Sequence, residues 1–366
     1  MVKFGRRSLA WYCLPIQLIQ LATCFVPTAP RVKLSLRLLG RHAAAAADLN
    51  PTCTRVVSED GTSIQLVFDT GQFVTLIGTA HLSEASTEQV ASVIAQVKPD
   101  VVMIELDETR LEQLGLKTGA DLVFAKPYVT AEGISAPLLE DDLDAALNPP
   151  WWAPGRDLII DALGSFARDQ LTKSYAELGE ELGGLSAGGE FLAALNAAQA
   201  EERCERVVLG DQDSSVTLKR FVELALRSGD PIGLGRRFGD VSDVFGKALE
   251  QEILDEADAR GEARPDKEDD ALMLSLMMER IKGNPGTRER LFAELAEQVP
   301  EFTRALLTER NFIMSEAIVR ELVRSDESQR EGARHVVAVV GAAHLQGMAD
   351  NLQQAEALIA RAGGQE

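Results

Sequence analysis

The fold class is decided by residues 73–105, which read FVTLIGTAHLSEASTEQVASVIAQVKPDVVMIE. Residues 73–79 alternate apolar and polar side chains, which predicts a β-strand. Four apolar residues then recur with helical spacing, at Val90, Val93, Ile94 and Val97. Lys98-Pro99-Asp100 ends this helix, and residues 101–105 form a short apolar run that is typical of a buried strand. Strand, helix and strand within about 30 residues predict a βαβ unit with parallel strands.

The sequence before this unit predicts one more strand. Residues 63–69 also alternate apolar and polar, and Gly71 stands between them and residues 73–79, which predicts a β-hairpin. Inside the unit, Ser86 and Gln89 have the spacing of a capping box. We therefore expect the helix to begin near Ser86.

The rest of the chain predicts a single α/β domain. Helical patterns dominate residues 214–324, and the last apolar strand, residues 336–340, follows them. The other predicted elements are helices at 107–117, 157–181, 190–200 and 347–361 and a strand at 207–209. We expect an α/β fold with a mostly parallel central sheet flanked by helices, and a largely helical insertion before the last strand.

The composition excludes several classes of protein. The chain has 366 residues, 45% of them hydrophobic, which is enough for a large core. Its net charge of −20 argues against nucleic-acid binding, which needs a basic face. Four cysteines without a Cys-x-x-Cys pair exclude a disulfide framework and a zinc ribbon. With only four histidines, no site can consist mainly of imidazole.

Residues 1–47 have the composition of a targeting leader, because they carry seven basic residues and no acidic one. The mostly apolar run 9–26 is typical of a secretory signal, and the basic, alanine-rich run 28–47 is typical of a transit peptide. Together with Cys24-Phe-Val-Pro27, they resemble the bipartite leaders of plastids acquired by secondary endosymbiosis. We expect a plastid location, with a mitochondrial presequence, secretion or a membrane anchor as alternatives.

The remaining residues, 48–366, form the body of the protein. It contains no apolar stretch near 18 residues, so we expect it to be soluble, with at most peripheral association with an organelle membrane. Residues 119–157 are irregular, with five prolines and the pair Trp151-Trp152. This segment has two interpretations: a lid or partner contact, or a surface insertion anchored by tryptophan.

Two short segments of the body have the same pattern. Gly78-Thr-Ala-His-Leu82 follows one apolar strand, and Gly341-Ala-Ala-His-Leu345 follows another. The carboxyl ends of parallel strands line the usual ligand crevice of open α/β sheets. We therefore expect His81 and His344 to point into one pocket.

Acidic residues occupy similar positions. Glu105 ends the strand that follows the His81 helix, Asp211 follows the strand 207–209, and Glu190 opens a helix after a glycine-rich turn. Two imidazoles with one to three carboxylates suit a divalent transition metal. Such an ion generates hydroxide near neutral pH and polarises a carbonyl group, and a carboxylate outside its ligand shell can act as general base.

Each of these residues also has a purely structural interpretation. A histidine at a strand end is often a hydrogen-bonded structural residue. A carboxylate after a strand often caps the next helix, and Asp107 fits that role better than Glu105 or Asp211. The repeated context of His81 and His344 favours the functional interpretation for this pair.

At this point the sequence resembles the TraB/PrgY family, which is related to the Tiki-type metalloproteases. The resemblance covers roughly residues 57–361. It is carried by these segments, in family order: Ile77–Ser83, Lys98–Arg110, Gly188–Phe191, Val208–Asp211, Val216–Arg220, Glu309-Arg310 and Val339–His344.

The resemblance implies a metal-dependent, peptidase-like site. It assigns the metal-site histidines to His81 and His344 and the site acids to Glu105 and Glu190. The family's Gly-Asp-Arg, Lys-Arg and Glu-Arg-Asp motifs fall on three short segments of this chain, Gly210-Asp211, Lys219-Arg220 and Glu309-Arg310.

Two residues depart from the family pattern. Gln212 stands where the family has arginine, and Asn311 stands where it has aspartate. If the two family residues pair to brace the site, the two changes compensate, because both charges are lost together. If they bind substrate, activity is altered or lost.

We therefore expect a metal-dependent hydrolase that acts on a peptide or protein, with Mn²⁺, Co²⁺ or Zn²⁺ as cofactor. The expected metal ligands are His81, His344, Glu105 and Asp211. The expected catalytic residues are Glu105 and Glu190 as acids or bases and Arg220, which orients a carboxylate or binds an anionic group of the substrate. The alternative is a non-catalytic protein that binds a peptide or tethers membranes at an organelle.

Overall fold

A seven-stranded sheet forms the centre of the protein in the computed structural model. Its strands are β1 (Thr54–Val57), β2 (Ser63–Val67), β3 (Phe73–Thr79), β4 (Val101–Ile104), β5 (Phe124–Ala125), β6 (Arg206–Leu209) and β7 (His335–Gly341). Their order in the sheet is β1-β2-β3-β7-β4-β6-β5. The pairs from β3 to β5 are parallel, whereas β1, β2 and β3 pair antiparallel.

Helices surround this sheet. The structure describes residues 53–69, 71–80, 84–113, 115, 124–125, 188–266, 270–323 and 334–355. Within these ranges the helices are α1 (Glu84–Val97), α2 (Glu108–Gln113), α3 (Gly189–Ala200), α4 (Ser214–Arg227), α5 (Pro231–Arg260), α6 (Asp270–Gly283), α7 (Pro285–Gln298), α8 (Pro300–Thr303), α9 (Glu309–Leu322) and α10 (His344–Gln354). A π-helical stretch, Arg304–Thr308, connects α8 to α9.

The last strand lies in the middle of the sheet. After β6 the chain forms the helices α4 to α9 and then returns as β7 between β3 and β4. In the parallel register, Thr79 pairs with Gly341, and Ile104 pairs with Val339. The carboxyl ends of β3, β7 and β4 therefore lie side by side.

Both faces of β7 are buried. Val336, Ala338 and Val340 pack into a core that includes residues of α7, α9 and α10, whereas Val337 and Val339 pack into a core with residues of α1 and α3. Alternate side chains of a strand point to opposite faces, so a strand covered on both sides needs a continuous apolar run. The sequence of β7 has this run.

The structure confirms the predicted fold class, the hairpin of β2 and β3, and the helices between β6 and β7. In the hairpin, Gly71 has a φ of 84°, a conformation that favours glycine. The strands β1 and β5 were not predicted from the sequence.

The predicted capping box at the start of α1 is wrong. Ser86 lies inside the helix, and its Oγ accepts hydrogen bonds from the Ala80 backbone N–H at 3.1 Å and from Lys282 Nζ at 2.8 Å. Gln89 Nε2 instead donates to Thr62 Oγ1 at 2.6 Å. Both side chains are engaged by residues outside their own helix.

Several predictions fall on residues that the structure does not describe. They concern the leader at 1–47, the pair Trp151-Trp152 and the helix at 157–181, and they stay predictions. In the described ranges, no helix is both long enough and apolar enough to cross a lipid bilayer.

Candidate functional site

The carboxyl edge of the parallel strands carries a buried group of charged side chains. Glu105 directly follows β4, and Asp211 follows β6 after Gly210. The backbone N–H of Gly341, the last residue of β7, donates to Glu105 Oε2 at 2.7 Å. Glu105 is 1% exposed and Asp211 is 3% exposed, so both carboxylates lie away from water.

Arg310 of α9 joins these two carboxylates. Its Nε donates to Asp211 Oδ1 at 3.0 Å, its Nη2 donates to Asp211 Oδ2 at 2.6 Å, and Nη2 also donates to Glu105 Oε1. Burial acts to lower the pKa of Arg310, but the charges of Asp211 and Glu105 outweigh it and raise that pKa above its ordinary value. The guanidinium group stays charged and neutralises the edge.

Arg110 is a second cation at this edge. Its Nη2 donates to Asp211 Oδ2, and its Nε donates to Asp107. Burial raises the pKa of Asp211, but Arg310 and Arg110 together hold it below its usual value. Asp107 Oδ1 also accepts the Arg110 backbone N–H at 3.0 Å, which caps α2. The structural interpretation of Asp107 is therefore confirmed.

His344 is the first residue of α10 and is completely buried. Its Nδ1–H donates to Asn311 Oδ1 at 2.5 Å, because a carbonyl oxygen can only accept. Its Nε2 lies 3.4 Å from Glu105 Oε1 and has no hydrogen-bond partner among the residues that the structure describes. Burial lowers the pKa of His344, although the Glu105 carboxylate acts in the opposite direction. The ring is therefore neutral, with the lone pair of Nε2 facing a carboxylate.

The donor atoms at this edge partly fit a divalent metal. An imidazole nitrogen and a carboxylate oxygen that face each other are suitable ligands. Among the described residues, no group of three or more histidine, cysteine or acidic side chains is arranged to hold an ion. His81 lies outside the described residues, so its predicted place in the same pocket stays a prediction. Asp211 binds the guanidinium groups of Arg310 and Arg110, so in this arrangement its carboxylate is a partner of arginine.

Glu190 and Arg220 belong to the helices α3 and α4. Glu190 is buried in the first turn of α3, which adjoins the first turn of α1: a Cβ at Gly189 would lie 3.4 Å from Thr87 Oγ1. Arg220 of α4 donates from Nε to both oxygens of Glu309 at 3.1 Å and from Nη1 to Glu223 Oε2 at 3.0 Å. The carboxylates that Arg220 orients here belong to the protein itself.

The two residues that depart from the family pattern have different partners. Gln212 Nε2 donates to Thr217 Oγ1 at 2.9 Å, whereas Asn311 accepts from His344. Positions 212 and 311 therefore have separate partners, so the structure does not support the first possibility, a direct pair between these two positions. Asn311 touches the candidate site, and Gln212 supports the turn before α4.

Three contacts at this edge were missed from the sequence. Arg110 and Asp107 lie three residues apart, a spacing that brings side chains together on a helix, and this signal was available. The contacts of Asn311 with His344 and of Lys282 with Ser86 join residues 33 and 196 positions apart, and no local pattern indicates them.

The sequence is similar to those of known proteins. A sequence profile described as the TraB/PrgY/gumN family matches residues 63–144 and 168–358. The mouse and human proteins named TraB domain-containing protein are each 27% identical over 297 residues, which cover 79% of this chain and 65% of theirs. An uncharacterized protein of Methanocaldococcus jannaschii is 25% identical over 281 residues, which cover 77% of this chain and 53% of its own.

The chain spans about two thirds of the length of the mammalian relatives that it matches. The two matched ranges of the profile include β2 to β7, α1, and the segments that carry Glu105, Asp211, Arg310 and His344. They cover well over half of the chain. This protein belongs to the TraB/PrgY/gumN family.

Proposed function

We propose that this protein is a metal-dependent hydrolase that acts on peptides, with a divalent ion held by His344, Glu105 and His81. The observation that supports the ion is the Nε2 of His344, which has no hydrogen-bond partner within the described part of the chain and faces Glu105 Oε1 at 3.4 Å inside the protein. Two acceptor atoms that face each other away from water repel each other and leave a buried polar atom unsatisfied. A cation between them removes both costs.

The chemistry of the donors favours a transition metal over Ca²⁺ or Mg²⁺. Mixed nitrogen and oxygen ligands suit Zn²⁺, Mn²⁺ and Co²⁺, whereas calcium and magnesium prefer oxygen alone. The lowered pKa of His344 keeps the ring in the neutral form that a metal requires. His81 follows Thr79 by two residues, and Thr79 pairs with Gly341 in the sheet, so we expect a second imidazole near the carboxyl end of the neighbouring strand.

The protein groups around the ion have distinct roles in this proposal. When bound, the ion supplies a hydroxide near neutral pH and polarises the carbonyl group of the substrate. Gly341 and Arg310 hold the Glu105 carboxylate, and Asp211 holds Arg310 in turn. Glu190 is the proposed general base. Arg220 acts as a positioning residue: it binds Glu309, the residue that directly precedes Arg310 in α9. The preference for peptides rests on the resemblance to the Tiki-type proteases.

Metal content tests the proposal. Purified full-length protein is incubated with Zn²⁺, Mn²⁺ or Co²⁺, desalted and examined by elemental analysis. We expect about one ion per chain for the wild type and none for the double variant His81→Ala/His344→Ala. His335→Ala is the matched control, because His335 begins β7 at the opposite end of the same strand. Full metal content in a folded double variant would contradict the proposed ligands.

A peptide-cleavage screen with the loaded protein then tests the reaction. Cleavage that is lost in the double variant supports the hydrolase. If the metal-loaded protein binds a peptide but cleaves none, the result would instead support the alternative, a non-catalytic peptide-binding protein.

We also propose that residues 1–47 direct the protein to a plastid. A fluorescent protein fused behind these residues is expected to accumulate there in an alga with secondary plastids. Accumulation in mitochondria would support the alternative presequence.

A further inference from the structure

We infer that Asn311 is a positioning residue that fixes the tautomer of His344. Its Oδ1 lies 2.5 Å from Nδ1 of the imidazole, and both residues are buried. Because an amide oxygen cannot donate, the proton of the neutral ring must sit on Nδ1. The lone pair of Nε2 is then held toward Glu105. The role of this lone pair as a metal ligand rests on the proposed function, whereas the assignment of the tautomer does not.

The backbone before Asn311 explains how the amide reaches this position. The π-helical stretch Arg304–Thr308 precedes α9, and π-helical turns are frequent at functional sites. The next three residues are all buried, and each meets a different part of the protein. Glu309 binds Arg220, Arg310 binds Asp211, and Asn311 binds His344. The two ion pairs that come just before Asn311 anchor this turn of the helix.

Gly347 provides the space for the amide. It lies one turn after His344 in α10, and a Cβ at this position would lie 2.2 Å from Asn311 Nδ2 and 3.0 Å from Asn311 Cγ. Any larger residue would push the amide away from the imidazole. The amide group is therefore enclosed between His344 on one side and the backbone of Gly347 on the other.

A neutral acceptor suits this position. A carboxylate at 311 would add a third negative charge beside Glu105 and Asp211 and would stabilise the protonated imidazole. The amide oxygen orients the ring equally well but adds no charge. The partner of a ligating imidazole commonly fixes its tautomer and orientation in this way.

Nitrogen NMR tests the inference in the absence of metal. Full-length protein is labelled with ¹⁵N-histidine, and long-range proton–nitrogen correlations report which ring nitrogen of each of the four histidines carries the proton. The His344 signals are assigned by their loss in His344→Gln. In the wild type we expect a protonated Nδ1 and a bare Nε2. A protonated Nε2 in the wild type would overturn the inference.

Variants of residue 311 separate orientation from packing. In Asn311→Leu, which removes the acceptor, the proton should move to Nε2, where it can donate toward Glu105. In Asn311→Asp, which restores an acceptor, Nδ1 should stay protonated. His335, which contacts Thr75 at the far end of β7, is the internal control in every spectrum. An unchanged His344 tautomer in Asn311→Leu would also overturn the inference.

Zinc affinity gives an independent measurement. We expect the dissociation constant to rise by about 10- to 100-fold in Asn311→Leu and to recover partly in Asn311→Asp, whose carboxylate restores the acceptor but also favours the protonated ring. If Asn311→Leu does not fold, Gly347→Ala displaces the same amide and should show the same loss of the Nδ1 proton. If wild-type protein binds no zinc, the proposed function fails, whereas the tautomer measurement still decides the role of Asn311.

Discussion

Gly341 donates its backbone N–H to the side chain of Glu105, so the end of β7 holds the carboxylate that follows β4. The other oxygen of Glu105 accepts from Arg310 and faces His344. One carboxylate therefore connects a strand, a cation and the candidate imidazole.

The first prediction concerns this carboxylate. In Glu105→Gln the amide keeps the shape of the side chain but has only one acceptor oxygen for the donors of Gly341 and Arg310. We expect the free energy of unfolding to fall by about 1–3 kcal/mol, as urea denaturation would show. Glu88→Gln on the exposed face of α1 is the control and should change stability by less than about 0.5 kcal/mol. Equal effects of the two substitutions would contradict the role of Glu105.

A second prediction concerns Arg310. Arg310→Met leaves two buried carboxylates with Arg110 as the remaining cation described at this edge. We expect a loss of about 3–5 kcal/mol in the free energy of unfolding, measured by urea denaturation at neutral pH. Arg310→Lys keeps the charge but lacks the planar guanidinium group that bridges both carboxylates. Its free energy of unfolding should lie between those of the wild type and Arg310→Met.

The control for Arg310 is a partly exposed arginine of the same helix. Arg320 is paired with Glu316 one turn away at the surface, and Arg320→Met should cost less than about 1 kcal/mol. If Arg310→Met lowers the free energy of unfolding no more than Arg320→Met does, the bridge from Arg310 to Glu105 and Asp211 does not stabilise the fold.

The third prediction concerns Gly78, the glycine of the first Gly-x-x-His segment. A Cβ at Gly78 would lie 2.5 Å from Leu345 Cδ1 and 2.8 Å from Ala342 Cα, so Gly78→Ala forces β3 away from the second segment. We expect a loss of about 1–3 kcal/mol in thermal or urea unfolding. Gly235 in α5 has no atom near its Cβ position, and Gly235→Ala should instead stabilise the protein by about 0.5–1 kcal/mol. Tolerance of Gly78→Ala would argue against this close approach.

The fourth prediction concerns pH. Burial lowers the pKa of His335 from 6.5 to about 4, opposed in part by Asp100. Between pH 6.5 and 4 the unfolded chain therefore binds a proton that the folded chain rejects, so this residue's contribution to stability is present above pH 6.5 and is lost as the pH falls.

Between pH 4 and 6.5, the contribution of His335 to the free energy of unfolding should change by up to ~1.4 kcal/mol per pH unit. Urea denaturation of the wild type and of His335→Gln at several pH values isolates this contribution, because the other titrating groups are common to both proteins. Parallel curves for the two proteins between pH 4 and 6.5 would show that His335 does not contribute.

Local patterns predicted much of the fold. The period of Val90, Val93, Ile94 and Val97 marked α1, and the apolar run of β7 indicated a strand buried on both faces. The position of β7 between β3 and β4 depends on pairing over more than 200 residues, which no local pattern encodes. The capping-box prediction failed for a related reason: Lys282 and Ala80 claim the hydroxyl of Ser86, and only the tertiary fold brings Lys282 there.

The sequence predicted several residues of the candidate site but not the contacts between them. Strand ends pointed to Glu105, Asp211 and His344, and the structure gathers these three around Arg310. The family motif named Arg310 without a role, because a cation between two carboxylates is visible only when distant strands are side by side. The other predicted histidine, His81, lies outside the described residues.

The place of β7 in the sheet has a consequence for biosynthesis. The ribosome delivers β3 and β4 long before residues 335–341, and until then both strands lack the neighbour that joins them. Such non-local pairing is slow, and its unpaired edges invite aggregation while translation continues. A nascent chain stopped before residue 335 would hold two separate pieces of sheet, so chaperones that shield open strands should matter most during the last stage of its synthesis.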